Sequence, residues 1–277
     1  LDPVSVGATI NLLLAAVTAR GPSKIENAAA EPDVVAFGRA LQEMGAQIDG
    51  LGTRTLEVQG VDRLRSGTFR NTPDRIELGT FLLMAATASP PGTPVKIRKG
   101  THEHLGPVFK EKLAATGVDV SYDDETVTVT RPDTLRPVSI ETAPFPGFAT
   151  DLQAQWTVLL GTTDGTATVT DTIYDDRFKH VPELQRLGME IGVDGNTATV
   201  RGGAPLQGAK VMSTDLRASV SLVMAGMIAE GRTDVLRVYH LDRGYEALED
   251  KLGAAGVSIR REAYDEFAEP ERDSVAE

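Results

Sequence analysis

Apolar residues recur along this chain in a pattern of helices and strands that repeats four times. Four alanine-rich apolar segments have helical spacing: 7–20, 77–89, 151–164 and 215–230. A glycine-containing turn and a short β-prone run follow each of them, at 21–27, 92–99, 165–171 and 231–238. An amphipathic helix comes next and ends at a glycine, which adopts a left-handed C-terminal conformation without a Cβ penalty. These glycines are Gly45, Gly117, Gly188 and Gly256, and their separations of 72, 71 and 68 residues indicate an internal repeat.

Each repeat predicts the element order β-α-β-α-β-β. A strand follows each of these glycines, and in the first three repeats a hairpin closes the unit, as GTRTLEVQG, DETVTVTR and GNTATVRG. Helices that alternate with strands place the chain in the α/β class. A doubly wound open sheet is the alternative, but it does not explain why a terminal hairpin recurs. We therefore predict repeated βαβαββ units.

The composition excludes several classes of protein. With 277 residues, 41% of them apolar and 25% charged, the chain has the length of about two domains of an ordinary globular protein. It has no cysteine, which excludes disulfides, thiolate metal sites and a cysteine nucleophile within it. Its apolar runs are too short to span a bilayer, and no apolar leader opens it. We therefore expect a cytoplasmic protein with no membrane partner.

The charge of the chain is acidic. The 28 basic and 40 acidic residues give a net charge of −12. Residues 262–277 contribute seven acids and one base, and they predict a disordered, solvated tail. This balance argues against nucleic acid as a partner. An anion bound by this protein must be held by a few placed arginines.

Acidic residues begin three of the apolar helices. They are Glu77, Asp151 and Asp215, and each precedes an otherwise apolar face. On the local sequence alone, N-capping is the simpler interpretation, because a carboxylate there accepts free backbone N–H groups.

Two amphipathic helices are predicted to begin with an Asp-Arg pair, Asp176–Arg177 and Asp242–Arg243. The aspartates can cap these helices, whereas each arginine opposes the helix dipole by ~0.3–1 kcal/mol. Either a nearby carboxylate or a bound anion can compensate this cost. If the ends of the repeats converge, several arginines and acids share one cleft.

Other chemical motifs are weak. The four histidines (His102, His104, His180 and His240) lack a spacing typical of a metal site, and neither phosphate-binding glycine loop is present. No Ser-His-Asp arrangement can be assembled from the spacing. Trp156 lies within an apolar helix, where a core position is the simpler interpretation. We therefore predict neither a metal nor a cofactor.

Seven segments, in order along the chain, resemble the enolpyruvyl transferase superfamily, and within it the enzymes that act on UDP-N-acetylglucosamine at the start of peptidoglycan synthesis. They are VSVGAT (4–9), IENAA with EPDVV (25–35), PDRIELGT (73–80), TAPFPGFATDLQAQ (142–155), RFKHVPELQRLG (177–188), STDLRASVSLVMAG (213–226) and YHLDRGYEALEDKL (239–252). The branch that acts on shikimate 3-phosphate shares the fold but not TDLRAS or YHLDRGYE. The resemblance runs from Pro3 to about Ala263 and implies an inside-out α/β barrel, or prism, of βαβαββ units.

The resemblance implies transfer of an enolpyruvyl group from phosphoenolpyruvate to the 3-hydroxyl of UDP-N-acetylglucosamine. By motif, Asp151 matches the aspartate that binds this hydroxyl and is the candidate general base. Arg243 matches an arginine that binds phosphoenolpyruvate, and Asp215 is the third candidate for catalysis. The remaining matches line the cleft or contact the nucleotide: Arg177, Ser5, Val6 and Ile173. A helix N-terminus lowers an aspartate's pKa whereas burial on closure raises it, and the sequence leaves that balance open for Asp151.

The chain departs from the family at its front. The family has six repeats in two lobes of three, and this chain has four, without the Lys-Asn pair and the acid-bearing mobile loop that precede them. We expect 1–69 to be the last repeat of the first lobe, 70–265 to be the three repeats of the second, and 266–277 to be an acidic tail. The second lobe of the family takes its closing strand from the front. We therefore expect the missing N-terminal segment, or self-association, as a partner, and no transferase activity from the chain alone.

Two alternatives stay open. The acceptor can be a different nucleotide, because the loop whose side chains would decide this is absent. The chain can also be a noncatalytic binding relative, although the joint presence of Asp151, Arg177, Asp215 and Arg243 favours an enzyme.

Overall fold

The computed structural model describes residues 1–100, 102–123 and 125–263, and its elements follow the repeats. The first repeat contains α1 (Val6–Ala16), β1 (Pro22–Glu26), α2 (Pro32–Glu43), β2 (Gln47–Asp49) and β3 (Thr55–Gln59). The second contains α3 (Arg75–Ala88), β4 (Pro94–Arg98), a 3-10 turn (His102–Leu105), α4 (Pro107–Ala115), β5 (Asp119–Asp123) and β6 (Thr126–Thr130). The tail predicted over 266–277 lies outside the described residues.

The second half of the chain repeats the same order. The third repeat contains β7 (Ile140–Glu141), a 3-10 turn (Thr150–Leu152), α5 (Gln153–Gly161), β8 (Thr166–Thr170), α6 (Val181–Arg186), β9 (Glu190–Asp194) and β10 (Thr197–Arg201). The fourth contains β11 (Lys210–Met212), α7 (Leu216–Gly226), β12 (Asp234–Leu236), a 3-10 helix (Val238–Arg243) and α8 (Leu248–Ala254). The third repeat thus has the complete predicted order, βαβαββ.

The glycines that mark the period end the second helix of each repeat, as predicted. Gly45, Gly117, Gly188 and Gly256 have φ values of +100°, +96°, +99° and +94°. Each N–H group donates to the carbonyl three residues earlier, at 2.9–3.0 Å. Because this left-handed conformation penalises residues with a Cβ, the constant spacing of these glycines has a backbone cause.

Prolines begin the second helices of the first three repeats. Pro32, Pro107 and Pro182 lie in the first turn of α2, α4 and α6. The first turn of a helix has no use for the N–H group that proline lacks, and the fixed φ of proline favours helix initiation there.

Three repeats form the same small antiparallel sheet. The middle strand is always the last strand of the repeat: β3 lies between β1 and β2, β6 between β4 and β5, and β10 between β8 and β9. The predicted hairpins and the α/β class are therefore confirmed. β7 extends the third sheet in parallel to β8, and β11 pairs in parallel with β12. Over the described residues the strands form four separate sheets, of 3, 3, 4 and 2 strands, and not one closed barrel.

The first helices of the last three repeats form the centre of the larger core. α3, α5 and α7 contact one another, and every residue of α5 is buried. A helix that is apolar or buried on all sides belongs inside a protein, which agrees with their continuous apolar sequence. Trp156 of α5 is fully buried, with edge-on contacts to Phe109 and Phe148, and its Nε1 donates to the Val138 carbonyl at 3.1 Å. The core position predicted for Trp156 is confirmed.

The first repeat has a separate apolar core. One cluster of buried residues runs from Leu13 to Val58, and the larger one runs from Ile76 to Leu252. Polar contacts join the two parts: Arg54 Nη2 donates to the Phe145 carbonyl at 3.0 Å, and Arg75 Nε lies 3.1 Å from Asp33 Oδ2.

None of the helices in the described ranges has both the length and the apolar character needed to cross a bilayer.

Candidate active site

Asp151 lies in the 3-10 turn that leads into α5, and two guanidinium groups bind its carboxylate. Arg177 Nη2 lies 2.6 Å from Oδ1, and Arg217 Nη2 lies 3.1 Å from Oδ2. The Asp151 side chain is 38% exposed, against 21% for Arg177 and 19% for Arg217. Solvent therefore reaches the carboxylate, while the cations that hold it are mostly covered.

The arginines decide the ionisation of Asp151. Burial alone would raise its pKa, but the guanidinium of Arg217, and then that of Arg177, outweigh burial and hold the pKa below its usual value. Burial would lower the pKa of Arg217, and the Asp151 carboxylate together with the Tyr245 hydroxyl raises it instead. In this structure the two arginines, and not a helix N-terminus, therefore favour the ionised carboxylate of Asp151.

A buried hydrogen-bond network supports Arg217 from below. Arg217 interacts electrostatically with the hydroxyl of Tyr245, which lies 2.8 Å from Thr80 Oγ1. Thr80 Oγ1 donates to the Ile76 carbonyl, so the proton between the two hydroxyls comes from Tyr245. Gln155 Nε2 donates to Thr80 Oγ1 at 2.9 Å and to the Asp151 carbonyl at 3.1 Å. Side chains of α3, α5 and α7 therefore meet beneath the Asp151 carboxylate.

Ile173 and Tyr174, called the wall below, flank Arg177. Ile173 and Tyr174 follow β8 and are 38% and 55% exposed. The Tyr174 ring lies under the guanidinium of Arg177, with 5.0 Å between the guanidinium carbon and the ring centroid. Ile173, which the resemblance predicts as a nucleotide contact, therefore lies next in the chain to Tyr174, a direct contact of Arg177.

Asp215 caps α7, as the local sequence predicts. Its Oδ1 accepts from the backbone N–H groups of Arg217 and Ala218, at 2.8 and 3.0 Å. N-capping is wrong for Glu77, because α3 begins earlier, with Asp74 as its cap, and Glu77 pairs with Lys251 at 2.7 Å. It is also wrong for Asp151, whose side chain caps no helix and binds arginines.

Neither Asp-Arg pair begins a helix. α6 begins at Val181, next to Pro182, so Asp176 lies before it and pairs with Lys179 at 2.8 Å. Arg243 ends the 3-10 helix Val238–Arg243, and α8 begins only at Leu248. Asp242 pairs with Arg261 at 2.8 Å. Because Arg177 begins no helix, it has no helix-dipole cost to compensate, but it does pair with a nearby carboxylate, that of Asp151.

Arg243 lies beside this group and not within it. It is exposed and lines a cleft of about 490 Å³ together with Glu77, Tyr245 and Lys251. Its link to the Asp151 group is indirect, through Tyr245, which binds Arg217. Gly244 also packs against Leu216, the residue between Asp215 and Arg217.

Ser5 and Val6 lie at the start of α1, in the part of the chain with the smaller core. Ser5 is the N-cap of α1, and its side chain accepts from the Ala8 N–H at 3.2 Å. Over the described residues, no hydrogen bond or ion pair joins them to the Asp151 group.

His180 is 2% exposed and lies close enough to Arg177 and Asp215 for both charges to act on it. Burial lowers the pKa of His180 to about 4, although the Asp215 carboxylate opposes this shift. Its Nε2 is buried without a partner in the described structure. His180 is therefore a neutral imidazole next to a charged cluster.

Arg217 is the main site residue that the sequence analysis missed. The signal was present, because Arg217 is a cation in the first turn of α7, where it opposes the helix dipole as an arginine does at any helix start. Within STDLRAS, the sequence analysis predicted a role only for Asp215. Over the described residues, no group of three or more histidine, aspartate or glutamate side chains converges.

A family model described as EPSP synthase (3-phosphoshikimate 1-carboxyvinyltransferase) matches residues 1–252, and the chain belongs to this family of carboxyvinyl transferases. A UDP-N-acetylglucosamine 1-carboxyvinyltransferase from Chloroherpeton thalassium is 50% identical over 267 residues, which are 96% of this chain and 61% of the relative. The enzyme of the same name from Ruegeria pomeroyi is 51% identical over 258 residues, 93% of this chain and 60% of the relative. The chain thus spans about three fifths of the length of these relatives.

Solved structures agree on the fold. The enolpyruvyl transferase NikO from Streptomyces tendae superposes with a TM-score of 0.85 at 28% identity, over 92% of this chain and 60% of NikO. An EPSP synthase from Acinetobacter baumannii gives a TM-score of 0.76 at 18% identity, over 94% of this chain and 62% of that enzyme. The second match bears on the fold alone.

Proposed function

We propose that a protein containing this chain transfers the enolpyruvyl group of phosphoenolpyruvate to the 3-hydroxyl of UDP-N-acetylglucosamine, the first committed step of peptidoglycan synthesis. The observation that carries this proposal is the Asp151 carboxylate held between two guanidinium groups. It occurs in a chain that is half identical to enzymes named UDP-N-acetylglucosamine 1-carboxyvinyltransferase.

The reaction has two balanced steps. Asp151 accepts the proton of the sugar hydroxyl, whose oxygen forms a bond to C2 of phosphoenolpyruvate while C3 gains a proton from a general acid of the longer protein. In the second step the bond between C2 and the phosphate oxygen breaks, and phosphate leaves with the electron pair and takes the proton held by Asp151. C3 returns its proton to the conjugate base of the general acid, which restores the double bond and both groups. The scheme uses no cofactor.

The two arginines explain how a carboxylate of low pKa becomes a base. Phosphoenolpyruvate carries a phosphate and a carboxylate, both of which match the planar fork of a guanidinium. In the proposed complex these anions draw Arg177 and Arg217 away from Asp151, with Arg243 joining from the neighbouring cleft. Loss of its cationic partners then raises the pKa of Asp151 when the hydroxyl is present.

The remaining predicted residues receive supporting roles in this proposal. Oδ1 of Asp215 accepts two capping N–H groups, and Oδ2, which accepts from the Thr214 hydroxyl at 3.4 Å, is proposed to bind the substrate as well. Ser5, Val6 and Ile173 are proposed to contact the nucleotide. Ile173 is 38% exposed and directly precedes Tyr174, whose ring contacts Arg177. Both observations support this role for Ile173.

We also propose two lobes, with 1–69 as one repeat of the first and 70–265 as the three repeats of the second. The separate apolar cores support this division. Three mutually packed buried helices, with a sheet from each repeat around them, support an inside-out barrel, or prism, for the second lobe.

A strand from another part of the longer protein is proposed to complete the fourth repeat. A cavity of about 640 Å³ separates residues 233–236 from residues 257–263. In the other repeats the equivalent space, between the strand after the apolar helix and the strand after the glycine, holds the middle strand of the sheet. An unpaired sheet edge beside such a space is suited to strand addition, either by the N-terminal segment or by a second copy of the chain.

Transfer to a different acceptor is the second candidate function. The fold does not fix the acceptor, because the enolpyruvyl transferase NikO shares it, with a TM-score of 0.85, at only 28% identity. This second candidate shares the donor chemistry proposed for Asp151 and the arginines and differs only in the nucleotide.

Activity of a completed protein tests the proposal. We would join this chain to the part of the Chloroherpeton thalassium enzyme that it does not cover; this fusion is called the joined protein below. We expect it to release phosphate only when UDP-N-acetylglucosamine and phosphoenolpyruvate are both present. Release with another uridine nucleotide in place of the sugar nucleotide would favour the second candidate.

Single substitutions in the joined protein test the residues. Asp151→Asn is expected to abolish transfer, and Arg217→Gln to lower kcat/KM about 100-fold. Because removal of Arg217 raises the pKa of Asp151, the acid limb of the pH profile should move to higher pH. Arg186→Gln is the matched control, since Arg186 is exposed and pairs only loosely with Glu183 at 3.7 Å. A normal rate for Asp151→Asn would refute the proposed base.

A further inference from the structure

Asp171, at the end of β8, is a buried carboxylate that the proposed reaction does not use. The residue is 1% exposed. Oδ1 accepts from Thr142 Oγ1 at 3.0 Å and from the backbone N–H groups of Ile173 and Tyr174 at 2.9 and 3.0 Å. Oδ2 accepts from Thr150 Oγ1 at 2.6 Å. A buried charge is costly unless donors surround it, and four donors surround this one.

The donors come from the two segments that carry the candidate site. Thr150 immediately precedes Asp151, and Ile173 and Tyr174 form the wall beside Arg177. Thr142 makes a second contact with the loop after β8, because its Oγ1 accepts from the Thr172 N–H at 3.0 Å. The Thr172 hydroxyl in turn donates to the Thr142 carbonyl at 2.5 Å. Asp171 therefore joins the turn of the candidate base to the loop of the candidate nucleotide contact.

These contacts close a ring. From Asp171, one path leads through the Thr150 hydroxyl to the backbone of Asp151. A second path leads through the Tyr174 N–H to the Tyr174 ring, then to the Arg177 guanidinium over it, and finally to the Asp151 carboxylate at 2.6 Å. Both the backbone and the carboxylate of Asp151 are thus held from the same buried group.

We propose that Asp171 is a positioning residue, which sets the Asp151 carboxylate and the wall at residues 173–174 in one fixed relation. This inference rests on the proposed function, because it assigns Asp171 an effect on the reaction of Asp151. A displacement of about 1 Å in a reacting group costs up to about 100-fold in rate. Loss of the hydrogen bond between Asp171 and Thr150 is therefore expected to lower kcat clearly while it changes the thermal midpoint little.

A matched pair of substitutions separates positioning from a structural role. Thr150→Val and Thr142→Val each remove one hydroxyl donor from the same carboxylate, but only Thr150 adjoins Asp151. In the joined protein, we expect Thr150→Val to lower kcat about 10-fold with a small change in the thermal midpoint. Thr142→Val should lower the midpoint further, since it leaves the Thr172 N–H without its acceptor, and should keep kcat within about twofold. If kcat follows the thermal midpoint in both variants, Asp171 is structural only and the inference is wrong.

Hydrogen exchange in the chain itself tests the coupling without any activity. Asp171→Asn keeps the shape of the side chain and removes its charge. Amides of residues 149–153 should exchange faster together with those of residues 172–175, while those of β10 stay unchanged. Unchanged exchange at 149–153 would overturn the inference. An inactive joined protein with coupled exchange would instead refute the proposed function and leave the positioning role standing.

Discussion

At the scale of single residues, the chemistry of this chain is concentrated in charged groups that are only partly covered. Arg177 and Arg217 hold Asp151 as a carboxylate, and Tyr245 and Thr80 hold Arg217 from the buried side. Such an arrangement keeps a carboxylate ionised until a competing anion arrives. A guanidinium suits this task because it stays charged at any working pH and binds carboxylate and phosphate with the same fork.

Acid should destabilise the protein through His180. In the folded state its pKa is about 4, because burial disfavours the charged imidazole, whereas an exposed histidine titrates near 6.5. The unfolded chain therefore binds a proton that the folded one does not, and stability is lost as the pH falls from about 6.5 to about 4. The loss amounts to about 3 kcal/mol. Urea unfolding of the joined protein at pH 7.5 and pH 4 should show this difference for the wild type but not for His180→Asn; parallel losses would contradict the prediction.

At the scale of elements, the repeats are built from a few recurring backbone requirements. A left-handed glycine ends the second helix of each repeat, and a proline begins this helix in three of them. In the first and third repeats a further glycine follows the last strand: Gly60 after β3 and Gly202 after β10 donate to the carbonyls of Gly21 and Gly165, at 3.1 and 2.9 Å. The glycines that end helices and the prolines that begin them depend on neighbours in sequence, which is why the period is legible in the sequence.

Gly202→Ala should destabilise the third repeat, and Gly192→Ala in the same sheet should not. A Cβ on Gly202 would lie 2.2 Å from the Thr163 carbonyl oxygen and 2.5 Å from that of Leu160, both backbone atoms that cannot move freely. We expect a loss of about 3 kcal/mol or more. A Cβ on Gly192 of β9 meets no atom within 4 Å, and alanine there should change stability by less than about 1 kcal/mol. Equal thermal midpoints for the two variants would contradict the close approach at Gly202.

At the scale of the whole molecule, the chain has apolar surface and a sheet edge without neighbours in the described structure. Leu12 and Leu14 of α1 are 43% and 48% exposed, and α1 is mostly apolar, with Thr9 and Asn11 as its polar residues. The cavity beside β12 exposes the edge of the fourth sheet. Repeats bury their cores against one another, so a repeat without neighbours keeps an uncovered face.

The chain alone should therefore self-associate and lack transferase activity. Contact between uncovered α1 faces, or between sheet edges, removes apolar surface and satisfies backbone groups. Light scattering of the purified chain should show dimers or larger species, and the joined protein should be monodisperse. A monodisperse monomer with a cooperative melt, or phosphate release by the chain alone from both substrates, would contradict this prediction.

The sequence by itself determined the period, the α/β class, the hairpins, the glycine-terminated helices, the buried Trp156 and the family. Each of these depends on residues a few positions apart or on contiguous sequence motifs, so predicting them needs no knowledge of packing. The exact helix starts at Glu77, Arg177 and Arg243 were wrong, because local rules do not tell which of several capping groups reaches the free N–H groups. Only the tertiary structure decided that Arg217 and Arg177 meet Asp151 and that Asp171 joins their segments. These contacts arise where helices and loops of different repeats converge, and a pair distant in sequence is set by that packing and not by its own residues.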